Sequence, residues 1–244
     1  MLYGIQRSPL MKDIEMIIDH PASIATRLLN DQIDMGLVPV AIMPALKERY
    51  INGSYCIGCD GPVASVCLFS ETPIKGVERV LLDYQSRTSV QLARILLKEH
   101  WRISPDLIDG NKDFRNQIHG KTAGVVIGDR ALEQRHISPY IYDLGEAWKD
   151  MTGLPFVFAA WISNKPIDPS FVRQFDAANR AGLEQIDKVV AENPYPLFNL
   201  HAYFTQYLDY TLNPSKRAGL EKFLGYVRAD NNVNHPGLID DAHG

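Results

Sequence analysis

Three hydroxyl side chains within four residues, Ser86, Thr88 and Ser89 flanking Arg87, are the strongest chemical feature of the chain. They follow an apolar run, Val80-Leu81-Leu82-Asp83-Tyr84. They precede Val90, Leu92, Ala93, Leu96 and Leu97, spaced as on one face of a helix. The order predicts a strand, a polar turn and a helix. The first N–H groups of a helix lack internal partners and together carry about half a positive charge. Hydroxyls add donors there, so a carboxylate or phosphate fits without a dedicated cation. A helix cap needs one hydroxyl, and this run holds three. Plain capping and anion binding both stand as explanations of it.

Two further segments could meet a ligand. Asp60-Gly61-Pro62-Val63-Ala64-Ser65 places a stiff Gly61-Pro62 turn after a strand, where backbone groups and Ser65 can be exposed to a bound molecule. A simple tight turn explains the same residues. Gly128-Asp129 closes the apolar run from Thr122 to Ile127, at the carboxyl end where open α/β sheets meet their ligands. Asp129 serves equally well as the cap of a following helix. Cys56 and Cys59 have C-x-x-C spacing, but with only Cys67 besides them there is no second pair for zinc. The seven histidines, at 20, 100, 119, 136, 201, 235 and 243, show no metal-ligand spacing. No phosphate-binding loop, dinucleotide glycine fingerprint or nucleophile elbow occurs.

These residues need a frame of alternating strands and helices. Strands are expected at Met16-Ile17-Ile18, Asp34 to Pro39, Tyr55 to Cys59, Val63 to Ser70, Val80 to Tyr84, Thr122 to Ile127, Tyr140 to Leu144 and Gly153 to Trp161. Pro105 to Ile108 supplies an edge. Helices are expected from Pro21 to Asn30 with Ser23 near its start, around Met43, Leu46 and Tyr50, from Val90 to His100, and in the C-terminal third. The alternation predicts largely parallel sheets in two lobes joined by two crossover strands, near Cys67 and Ala160. The first lobe is expected at 1–67 and 162–228, the second at 68–161, and a flexible tail at 229–244. A ligand then sits between the lobes.

The bulk numbers narrow the class. A chain of 244 residues, 45% hydrophobic and 22% charged, builds a sizeable core without metals or disulfides. A formal charge of −4 with scattered Lys and Arg argues against a nucleic-acid partner. No apolar run approaches the roughly 18–20 residues of a membrane span. No leader or lipidation motif precedes Tyr3, so a cytoplasmic location without membrane attachment is expected.

Six segments in order resemble one family. They are Asp34-Met35-Gly36-Leu37-Val38-Pro39, Gly61-Pro62-Val63-Ala64-Ser65-Val66, Ser86-Arg87-Thr88-Ser89-Val90, Ile127-Gly128-Asp129-Arg130-Ala131-Leu132, Tyr142-Asp143-Leu144-Gly145-Glu146-Ala147-Trp148 and Thr152-Gly153-Leu154-Pro155-Phe156-Val157-Phe158. Together they resemble the chorismate dehydratases, the menaquinone biosynthesis protein A family of the futalosine route. The resemblance covers Tyr3 to about Arg228. It implies a periplasmic-binding-protein-like fold of the second type and the dehydration of chorismate to 3-[(1-carboxyvinyl)oxy]benzoate, without metal or organic cofactor. It implies substrate contacts from Gly61, Pro62, Ser65, Ser86, Arg87, Thr88, Ser89, Gly128, Asp129, Pro155 and Phe156.

One departure stands out. The family carries a further strand and a Ser-Tyr-Leu-Asn-Thr segment before the Leu-Tyr-Gly stretch. Its Asn is expected to act in proton removal. This chain begins at Met1-Leu2-Tyr3-Gly4, so the expectation is a first lobe without its first strand and without that Asn. Two alternatives remain, the 1,4-dihydroxy-6-naphthoate synthase of the same pathway and a solute receptor for a small carboxylate.

Overall fold

The computed structural model describes residues 1–112 and 114–234. In chain order it has α1 (Leu2–Gln6), α2 (Pro21–Leu29), β1 (Met35–Pro39), β2 (Tyr50–Cys59), β3 (Val66–Ser70), β4 (Arg79–Leu82), α3 (Arg87–Ile95), β5 (Asp106–Asp109), β6 (Thr122–Ile127), α4 (Asp129–Gln134), β7 (Tyr140–Asp143) and α5 (Leu144–Thr152). Then follow β8 (Phe156–Ser163), α6 (Pro169–Leu183), α7 (Ile186–Glu192), α8 (Leu200–Ala202), β9 (Asp209–Thr211) and α9 (Pro214–Asn234).

Two sheets form. The first has the order β1-β8-β2-β9, the second β5-β4-β6-β3-β7. Among the described residues, parallel pairing is confined to β4 with β5 and β6. Every pair in the first sheet is antiparallel, as are β3 with β6 and β7. This corrects the largely parallel expectation. Parallel neighbours need a crossover such as α3, whereas β3 enters the second sheet directly from the first lobe and runs against its neighbours. Strand β8 makes the reverse passage and lies between β1 and β2, opposed to both. Pairing places all of β3 in the second sheet and all of β8 in the first. Segment 60–65 links β2 to β3 across the two sheets, and segment 153–155 leads from α5 into β8.

Local chemistry explains most elements. Helix α5 starts on Asp143, whose carboxylate accepts from the Gly145 and Glu146 N–H groups, and stops at Gly153 with φ 73°. Helix α6 starts on Asp168 with Pro169 in its first turn. The Met16–Ile18 segment is not a strand. Three residues have no ladder without a neighbour, so Met16 packs beside Trp161 and Phe175 while Ile17 and Ile18 are exposed. The helix expected around Met43 to Tyr50 is a 3-10 turn, Val40–Ala45, and Tyr50 already belongs to β2. Pro44 inside the turn removes a donor and limits its length. Of the expected tail, 229–234 continue α9, and 235–244 lie outside the described residues.

A continuous core joins the lobes. Val38, Val40 and Phe156 of the first pack in one cluster with Leu82, Leu92, Val125 and Trp148 of the second. Each such side chain contributes about 1.5–3 kcal/mol on burial. A smaller cluster of Cys67, Phe69, Leu81, Phe114 and Val126 covers the far face of the second sheet. Among the described residues no helix is long and apolar enough to cross a membrane.

Candidate functional site

The second sheet presents one edge to the first lobe. There β4 and β6 end and antiparallel β3 begins, with Val66 opposite Ile127. The topology thus brings Asp83, Gly128 and Ser65 to neighbouring positions on that edge. Ser86 to Ser89 follow directly at the start of α3.

At this helix start, Ser86 is the cap. Its Oγ accepts from the Ser89 N–H at 3.1 Å. The capping explanation therefore holds for Ser86, and the hydroxyl keeps its own proton to donate. Thr88 and Ser89 are buried. Thr88 Oγ1 accepts from the Ala41 N–H, 3.2 Å away in the 3-10 turn of the first lobe. Arg87 is exposed and its Nη2 donates to Thr26 Oγ1 of α2 at 3.3 Å. Arg87 and Thr88 thus bridge the lobes. Between these elements opens a cavity of about 510 Å³, with Ala41 and Ile42 on one side and Asp83, Tyr84, Ser86 and Arg87 on the other.

Beneath the turn, Asp83 is buried at the end of β4. Its carboxylate accepts from the Gln85 N–H at 2.9 Å, the Ile127 N–H at 3.2 Å and Arg130 Nη2 at 2.9 and 2.8 Å. This ties β4, β6 and α4 into one unit. Arg130 also donates to Gln85 Oε1 at 2.8 Å and lies over the ring of Tyr84.

The loop before β3 is held by a second buried carboxylate. Asp143 accepts from the Val63 N–H at 3.1 Å and the Ala64 N–H at 2.7 Å, besides capping α5. Gly61 and Ala64 have φ values of 117° and 63°. The left-handed region is costly for Ala64, and the Asp143 bonds together with Arg135 Nη1 on the Ala64 carbonyl maintain it. The result aims Ser65. Its carbonyl accepts from the Gly128 N–H at 2.8 Å, and its Oγ lies 2.8 Å from the Tyr203 hydroxyl. Burial pushes the Tyr203 phenol up, which keeps it protonated and able to donate.

The structure thus gathers Gly61, Ser65, Ser86, Thr88, Ser89 and Gly128 along one edge. Pro62 and Asp129 are exposed beside it. Asp129 makes no side-chain cap; Gly128, at φ 63°, precedes α4. Pro155 and Phe156, also expected to meet the substrate, pack in the core. Phe156 is 1% exposed, with Trp148, Phe158 and Phe223 rings 4.6–5.3 Å away, and the Pro155 carbonyl accepts from Trp148 Nε1. Their apolar bulk is spent on the core. Asp83, Asp143, Arg130 and Tyr203 were not anticipated. The two aspartates share a signal, an apolar strand ending on Asp just before a helix; Tyr203 has none.

A family model described as menaquinone biosynthesis matches residues 1–229. The chain belongs to this family. The chorismate dehydratase of Thermus thermophilus is 29% identical over 231 residues, with 83% of each chain covered. Among solved structures, protein AF1704 from Archaeoglobus fulgidus superposes with a TM-score of 0.69 at 13% identity, covering 89% of this chain and 87% of that one. An ABC transporter from Parabacteroides distasonis gives 0.61 at 16%, covering 99% and 93%. The periplasmic aliphatic sulphonate-binding protein SsuA from Escherichia coli gives 0.56 at 13%, covering 91% and 77%. These likenesses show the fold alone. This member of the family is built as a periplasmic-binding-protein-like molecule, with its hydroxyl-lined edge between the lobes.

Proposed function

We propose that this chain is a chorismate dehydratase, converting chorismate to 3-[(1-carboxyvinyl)oxy]benzoate and water in the futalosine route to menaquinone, in the cytoplasm and without a cofactor. The observation that carries the proposal is the likeness to the dehydratase of Thermus thermophilus over 83% of both chains, within the menaquinone-biosynthesis family.

In this reaction the ring C–H beside the enol-ether oxygen breaks and its electron pair forms the third ring double bond. The adjacent C–O bond breaks, and the departing hydroxide takes a proton to leave as water. Aromatisation supplies the driving force, so the protein has to hold a dianion in the reactive pose and manage protons. The edge suits that task. The start of α3, with Ser86, Thr88 and Ser89, takes one carboxylate through N–H and O–H donors. Ser65, Gly61, Pro62, Gly128 and Asp129 border the other end of the substrate, and Arg87 closes the cleft from the surface. The Ser65–Tyr203 pair places a protonated phenol at that edge.

The test is incubation with chorismate, followed by chromatography and mass analysis. The expected product is lighter than chorismate by one water and aromatic in its ultraviolet spectrum. Chorismate that stays unconverted beyond its spontaneous decay at micromolar protein refutes the proposal.

A further inference from the structure

We propose that Arg130 is a carboxylate-binding residue of this cleft, taking one carboxylate of the substrate while Asp83 holds it in place. The inference rests on the dianionic substrate proposed above and adds to the exposed Arg87 a second, half-buried guanidinium at the hydroxyl edge.

A guanidinium has five donors in a fixed fork. Among the described residues, Arg130 spends one nitrogen on protein partners. Nη2 donates to both Asp83 oxygens and to Gln85 Oε1, whereas Nη1 is shielded from solvent with no hydrogen-bond partner among the described residues. A buried donor without a partner is costly, the more so on a charged group, and native structures seldom leave one unused. The other half of the residue is anchored well. Asp83 has a fully buried side chain and is fixed in turn by the Gln85 and Ile127 N–H groups. Nη2 is therefore immobilised and Nη1 held ready.

Its place and cover fit a ligand role. Arg130 lies in the first turn of α4, two residues after Gly128 on the edge that carries Ser65 and Ser86. The Tyr84 ring lies 5.3 Å from the guanidinium carbon and is 48% exposed. An exposed side chain changes rotamer in picoseconds to nanoseconds, and the bond from Gln85 Nε2 to the Tyr84 hydroxyl lies on the exposed surface, so rotation of Tyr84 is fast enough to admit a carboxylate. Charge points the same way. Asp83 lines the cavity and would repel a dianion alone; paired with Arg130 it is neutralised.

Calorimetric titration of the whole protein with chorismate tests this. Arg130→Gln is expected to weaken binding about 10- to 100-fold, the range of a charge-assisted hydrogen bond. Because that variant leaves Asp83 buried and unpaired, Asp83→Asn/Arg130→Gln removes both charges at the loss of one backbone acceptor; with its fold checked by circular dichroism, it is expected to bind as weakly. Arg130→Lys keeps the charge on Asp83 but offers no second nitrogen, so affinity stays low. Isophthalate and benzoate provide a readout that a structural role would not move: the wild type prefers the dicarboxylate, and both Gln variants lose the preference. A double variant binding chorismate within about threefold of wild type overturns the assignment. A wild type that ignores chorismate but prefers isophthalate refutes the function and leaves Arg130 supported. A wild type with no preference for isophthalate overturns Arg130.

Discussion

Asp143→Asn is the most informative single perturbation outside the cleft. Asp143 Oδ1 accepts from the Gly145 N–H at 3.0 Å and the Glu146 N–H at 3.2 Å, while Oδ2 accepts from the Ala64 N–H at 2.7 Å. Asparagine keeps one acceptor. With its oxygen retained at the cap of α5, its NH₂ group meets the Ala64 N–H, and two donors face each other. A buried donor without an acceptor costs about 1–3 kcal/mol. The surviving bonds also lose their charge assistance, which roughly halves them. Together these amount to about 2–4 kcal/mol. At about 2–4 °C per kcal/mol for a chain of this size, Tm falls by about 4–16 °C. Ala64, at φ 63°, then relaxes toward an ordinary conformation and Ser65 loses its aim. Thermal unfolding by circular dichroism reads the first effect, and KM for chorismate, expected to rise, reads the second. A variant melting within about 2 °C of wild type with unchanged KM refutes the claim that Asp143 sets the loop.

Three further substitutions and one chemical treatment separate the roles of other residues. Ser86→Ala removes the cap of α3 and is expected to cost about 1 kcal/mol and to raise KM; Ser86→Gly recovers most of the stability, and if KM recovers with it, Ser86 only caps. Phe156→Ala is expected to cost about 3–5 kcal/mol as a core cavity with KM unchanged in the folded fraction, whereas a KM effect without a stability loss would return Phe156 to the ligand site. Burial pushes the Cys56 thiol up to about 12 and raises Cys59 and Cys67 as well. Since the thiolate forms only as pH rises toward the folded value, iodoacetamide at pH 8 is expected to leave the native protein unlabelled and to modify all three cysteines in denaturant; rapid native labelling would contradict the packing around β2 and β3.

Much of this molecule is determined by short-range chemistry and is legible in one dimension. The apolar runs Thr122–Ile127 and Phe156–Ser163 are strands, and the hydroxyl-rich residues after Asp83 open a helix capped by Ser86. Periodicity and caps act over a few residues, so they survive without the rest of the fold. The order of six segments also carries the family resemblance, which the match over residues 1–229 bears out. Periodicity does not say which strand lies beside which, or what faces a buried side chain. The antiparallel first sheet, the unpaired Met16–Ile18 segment and the core position of Phe156 all depend on distant neighbours. So do the contacts that shape the cleft: Asp143 meets Ala64 across 79 positions, Arg130 meets Asp83 across 47, and Tyr203 meets Ser65 across 138. A carboxylate at the end of an apolar strand looks like a solvent-facing turn until the sheet closes over it. Only then must every buried oxygen and N–H find a partner, and that requirement, met across long chain separations, decides the geometry of the site.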